Sequence, residues 1–168
     1  MIDESQVEAV RVTDTAGRCA AIQVLSATYQ REKGWVNDPE LQFPLADLER
    51  QDIDWFIARI EGRPLGVLRT LYDPPLAQYA KYGLKLIDAR VDVEAFLRQH
   101  RIAEVGRFAV VPPCRGNVML AATLMRAATE QIVARNYSHV ITDVFEDDPH
   151  SPLGFHTRVM GFRPVATH

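Results

Sequence analysis

The sequence predicts a mixed α/β (α+β) domain, and three features point to it. Residues 102–166 read as strand, glycine-containing turn, helix, strand, helix, strand; two apolar runs in the middle are joined by a short polar loop; and a helix-periodic segment lies near the start. Alternating elements of this kind pack a crossover helix against a sheet.

Residues 7–12 form a short β-rich run, followed by Thr13 and Asp14 as N-cap candidates. From there to about Lys33 the apolar residues Ala21, Val24, Leu25 and 27–29 recur at helical spacing, and Gly34 can stop the helix. Residues 34–52 read as a loop with one helical turn at 45–50. Residues 53–60 and 65–71 are strand-like and are joined by Glu61-Gly62-Arg63-Pro64, a hairpin signal. Pro74-Pro75 breaks the chain, residues 77–86 are ambiguous, and 93–99 fit a short amphipathic helix.

Residues 102–111 form a strand with Glu104 and Arg107 embedded in it. Pro112-Pro113-Cys114-Arg115-Gly116 cannot continue that strand, because proline lacks the amide donor. Residues 117–136 are a strong helix, with Met119, Leu120, Leu124, Met125, Ala128 and Ile132 on or near one face. A strand at 138–145, a helix at 150–160 and a last strand at 162–166 complete the order.

Composition bounds the class of function. The 168 residues suit one domain, 1–168, and contain no repeat or Gly/Ser linker. Hydrophobic residues at 47% and charged residues at 24% are ordinary for a globular protein, and a net charge of −3 argues against a nucleic-acid binder. No apolar run is long enough to span a membrane, and the start, with three acids in ten residues, lacks the order of a signal peptide. Two cysteines without a CxxC pair suggest neither a disulfide scaffold nor zinc, so a reducing cytoplasm is the expected location. Glu146, Asp147, Asp148 and His150 read as a solvated loop rather than a metal site, and Trp35 and Trp55 as core.

The turn after the strand carries the chemistry. A strand feeding through a tight loop into a helix leaves the first helical N–H groups unpaired, and together with the helix dipole these favour a phosphate. Gly116 permits close backbone approach and Arg115 adds a cation. By itself the segment is also compatible with a plain strand-to-helix connection.

The run Phe108-Ala109-Val110-Val111-Pro112-Pro113-Cys114-Arg115-Gly116 resembles the acyl-CoA motif of the GNAT superfamily, an apolar strand followed by V-x-P-x-x-R-G and a helix. Phe155-His156-Thr157-Arg158-Val159-Met160-Gly161-Phe162 resembles the closing helix of the same superfamily and its Gly-Phe entry to the last strand, at family spacing. The resemblance implies a mostly antiparallel central sheet with helices on both faces and splayed central strands. It implies an N-acyltransferase that moves an acetyl or longer acyl group from acetyl-CoA, a longer acyl-CoA or acyl-phosphopantetheine on an acyl carrier protein to a small-molecule amine. A metal, nucleic acid and membrane are not expected, and a homodimer is left open.

Carried over residue by residue, Phe108, Ala109 and Val110 would meet the pantetheine arm, and Arg115, Gly116, Asn117, Val118, Met119 and Leu120 the pyrophosphate. Val118 and Leu120 stand where the family often has glycine, which makes a carrier protein a more plausible donor. The family's proton-donating tyrosine is replaced by Thr157, with His156 beside it as the candidate acid; Glu104 is the candidate base, a carboxylate among apolar strand residues. Glu104-Val105-Gly106-Arg107-Phe108 is also similar to the E-x-S-R-F strand of acyl-homoserine lactone synthases and N-acyl amino acid synthases, with Arg69 ending a matching hairpin. That similarity implies Arg69 and Arg107 as acceptor-binding residues. The alternative to an enzyme is a degenerate module of this fold that binds acyl-CoA or an acyl carrier without turnover.

Overall fold

The structure, a computed structural model, describes residues 6–76 and 83–167. Five strands form one sheet in the order β1-β2-β3-β5-β6: β1 (Val7–Arg11), β2 (Ile53–Ile60), β3 (Arg63–Tyr72), β5 (Ile102–Val110) and β6 (His139–Ile141). β1, β2, β3 and β5 run antiparallel to their neighbours, while β5 and β6 are parallel. Parallel neighbours need a crossover, which the helix α3 (Val118–Ala134) supplies. A two-stranded ribbon of β4 (Lys85–Leu86) and β7 (Ala166–Thr167) stands apart. The other α-helices among the described residues are α1 (Thr15–Leu25) and α2 (Val93–Gln99).

Alternation along the strands divides the core into two layers. Trp55 and Ile57 of β2 pack with Ala21, Val24 and Leu25 of α1, whereas Phe56 and Ala58 pack with Leu120, Leu124 and Met125 of α3. Both faces of the sheet are therefore covered by helices. Gly66 of β3 lets α3 approach closely: a Cβ there would lie 3.1 Å from a Leu120 methyl. Asp14 caps α1 by accepting the Gly17 N–H at 2.7 Å, so of the two N-cap candidates it is Asp14 that serves.

The helix expected at 117–136 is observed as Val118–Ala134 with Asn117 as its cap; Leu120, Leu124, Met125, Ala128 and Ile132 are buried as expected, whereas Met119 is exposed. The hairpin of β2 and β3 and the short α2 also form at the expected places. Residues 77–82 of the ambiguous stretch lie outside the described residues. Four expectations are corrected. The strand predicted at 138–145 ends at Ile141, because β6 leaves the sheet there. The closing helix condenses to one wide turn, Phe155–Val159, and the last strand starts only at Ala166. The N-terminal helix becomes a wider turn at Ser26–Gln30.

Candidate active site

β5 and β6 pair only over Ile102–His139, Ala103–Val140 and Glu104–Ile141. Beyond Glu104 the two strands separate, and β5 has no partner on that side among the described residues. Its other edge stays bonded to β3, with a bulge that sets Arg107 and Phe108 against Leu68. Arg107 adopts φ 53°, a left-handed conformation that costs energy for any residue with a Cβ and here re-aims the strand. A cavity of about 490 Å³ fills the divergence, running from Glu104 past Phe108, Ala109 and Val110 to the turn at Arg115 and Gly116.

Glu104 sits where the two strands part, 5% exposed, and accepts a hydrogen bond from Arg69 Nη2 at 3.0 Å. Arg107 lines the same end of the cavity. The Nε atoms of Arg69 and Arg107 are both buried without a hydrogen-bond partner among the described residues. Such atoms are uncommon in folded proteins and mark a place where a ligand or water is expected to bind. Burial, with the nearby Arg107 charge, lowers the Arg69 guanidinium from its usual range. Gly106 leaves room over the pair: a Cβ there would stand 3.4 Å from both Arg69 Nη2 and Glu104 Oε1.

His156 lies on the opposite wall, 2% exposed, among the rings of Phe108, Phe155 and Phe162 at 5.4, 5.6 and 5.2 Å. Neither of its ring nitrogens has a partner among the described residues, and burial pushes its imidazole down to about 4. It is therefore neutral at neutral pH. The Thr157 hydroxyl is engaged, donating to the Leu153 carbonyl at 2.8 Å.

At the turn, Gly116 takes φ 84°, a conformation natural to glycine, and brings the chain to the start of α3. Three of the six amides from Arg115 to Leu120 donate locally: Arg115 to Pro112 O, Asn117 to Cys114 O, and Leu120 to Asn117 Oδ1 at 3.0 Å. Those of Gly116, Val118 and Met119 have no acceptor among the described residues. Val118 and Met119 are exposed, so their bulk does not close the turn.

The outer rim comes from residues with no local motif. The Glu32 carboxylate pairs with both Nη atoms of Arg115, Lys33 Nζ pairs with Asp148, and His150 Nε2 lies 3.9 Å from Glu32. Trp35 packs edge-on against Tyr29 at 5.3 Å and at a tilt against Phe145 at 5.4 Å. Trp35 is 48% exposed at the cleft rather than in the core, unlike Trp55, which is buried against Phe43 at 4.2 Å. Asp148, expected in a solvated loop, is half-buried in its pair with Lys33. Contacts of this kind join residues 83 and 115 positions apart, so nothing in the local sequence announces them.

The family model described as "Acetyltransferase (GNAT) family" matches residues 20–162. The chain belongs to this family. A search of curated protein sequences finds no match. Among solved structures, this GNAT chain is similar to an aminoglycoside acetyltransferase from an uncultured soil metagenomic sample in complex with sisomicin, at 16% identity over 98% of this chain and 95% of that one, TM-score 0.66. It is similar to AAC(6')-Iy in complex with a bisubstrate analog, CoA-S-monomethyl-acetylneamine, at 12% identity over 96% and 94%, TM-score 0.68. It also shares its fold with FeeM, an N-acyl amino acid synthase from uncultured soil microbes, at 17% identity over 90% and 76%, TM-score 0.64. Identities this low establish the fold and leave donor and acceptor to the chemistry of the cleft.

Proposed function

We propose that the chain is an N-acyltransferase that moves an acyl group from an acyl-thioester of CoA or of carrier-bound phosphopantetheine to a small-molecule amine. The observation that carries this reading is Glu104, a buried carboxylate at the point where β5 and β6 part, flanked by Arg69 and Arg107. The free edge of β5 at Phe108–Val110 suits the amide-bearing pantetheine arm, which can pair with it as an added strand does. The unpaired amides at Gly116, Val118 and Met119 suit phosphate.

In this reading Glu104 accepts the proton of the attacking amine as the N–C bond forms and the C–S bond breaks. His156, being neutral, offers an N–H hydrogen bond to the departing sulfur and keeps its own proton, and the released thiolate takes up a proton from solvent. Arg69 and Arg107 hold the acceptor, and the unpartnered Nε atoms of the two guanidinium groups favour an amine that also bears a carboxylate over a polyamine.

Thiol release would be measured with acetyl-CoA, longer acyl-CoAs and acyl carrier protein against amino acids and aminoglycosides. Glu104→Gln is expected to lower kcat by about 10²-fold or more with the fold intact; full activity in that variant removes the base role. The second reading, a binding module without turnover, draws on the engaged Thr157 hydroxyl and the low imidazole of His156. It predicts donor binding without thiol release for any amine.

A further inference from the structure

The turn that suits the donor's phosphates is guarded by a carboxylate of its own chain. Arg115 is the one cation within Arg115–Leu120, and both its Nη atoms are held by Glu32. The hydrogen bond from Arg115 keeps the Glu32 carboxyl below the usual carboxylate range, so it is ionised at neutral pH. Glu32 lies in the segment that crosses the cleft after the wide turn Ser26–Gln30, and that segment is fixed independently. Lys33 donates its amide to Thr28 O at 3.0 Å and pairs with Asp148, and Trp35 donates its amide to Tyr29 O at 2.8 Å and packs at a tilt against Phe145. Among the described residues, the outer cleft is lined by Lys33 and Arg115, each already matched by an acid.

We propose that Glu32 is a specificity-determining residue for the acyl donor: it competes with the donor's phosphates for Arg115, so that the nucleotide end of CoA adds little to binding and the pantetheine arm decides it. The inference rests on reading the Arg115–Leu120 turn as the donor's phosphate site. A diphosphate arriving there must displace a bidentate carboxylate, and the exchange of one anion for another on the same guanidinium returns only the difference between them. A phosphate-free arm gives up nothing by leaving the pair intact.

Titration calorimetry with CoA and with pantetheine, which has the same arm without the nucleotide and phosphates, separates these terms. Glu32→Gln is expected to tighten CoA about three- to fivefold at low ionic strength, leaving pantetheine unchanged. Glu32→Ala should behave alike, and in Glu32→Gln/Arg115→Gln the gain should vanish. Equal or weaker CoA binding in both Glu32 variants overturns the proposal, as does equal tightening of both ligands or a gain that persists without Arg115. If neither ligand binds the unaltered protein or its variants, the donor site itself is wrong and the proposal falls with it; binding that ignores Glu32 overturns the proposal alone.

Discussion

His156 is a titratable side chain enclosed by three phenylalanine rings, and its burial has a consequence for the pH dependence of stability. The folded chain keeps it neutral down to about pH 4, whereas an unfolded chain protonates it near 6.5. Between those values the unfolded state binds more protons, so stability rises with pH. His156 therefore contributes no penalty above pH 6.5, and stability is lost as pH falls from 6.5 toward 4, by up to about 3 kcal/mol. Urea unfolding of the unaltered protein and of His156→Gln over this range should show the steeper slope in the former; equal slopes would mean that the imidazole is solvated. The sequence shows that a histidine stands beside Thr157, but its charge state depends on Phe108 and Phe162, which reach it from other elements. Glu104 differs in this respect: a lone carboxylate inside an apolar strand is conspicuous in the order of residues alone. Its meeting with Arg69 depends on the pairing of β3 with β5.

Among the elements, α3 is the most legible, since Leu120, Leu124, Met125, Ala128 and Ile132 recur at helical period and are all buried in the core. The glycine that seats it is not legible, because Gly66 belongs to a strand whose register places it under Leu120. Gly66→Val should force α3 away from the sheet and cost roughly 1–3 kcal/mol, measured as a lower urea midpoint with unchanged slope; a neutral outcome would mean that Leu120 turns aside freely. β6 is where local pattern misleads. Residues 142–145, Thr-Asp-Val-Phe, carry three strand-favouring residues, yet Phe145 is 64% exposed and β6 pairs with β5 only as far as Ile141. A requirement of the whole sheet overrides the local preference there. The closing segment behaves similarly: His156 and Phe162 are drawn toward the cleft wall, and a regular helix over 150–160 gives way to one wide turn.

On the scale of the whole molecule, two separate devices hold the sheet. At the end away from the cleft, the buried Asp54 accepts from Arg11 Nε at 2.5 Å and Tyr72 Oη at 2.7 Å and pairs with Arg135 Nη2 at 3.0 Å, tying β1, β2, β3 and the end of α3 together. At the cleft end the strands are parted, and the crossing segment of Glu32, Lys33 and Trp35 bridges the gap by ion pairs and ring contacts. The buried ion-pair network thus lies opposite the opening, and the bridge lies beside the turn at Arg115. Trp35 belongs to that bridge, while Trp55 is sealed beneath Phe43 with its indole N–H given to Asp47 at 3.0 Å. The protein therefore carries two tryptophan fluorophores, one at the entrance and one shielded. Ligand entry should shift the emission of the first and leave the second as an internal reference, and in Trp35→Phe the spectral response to CoA or pantetheine should disappear while binding heat remains.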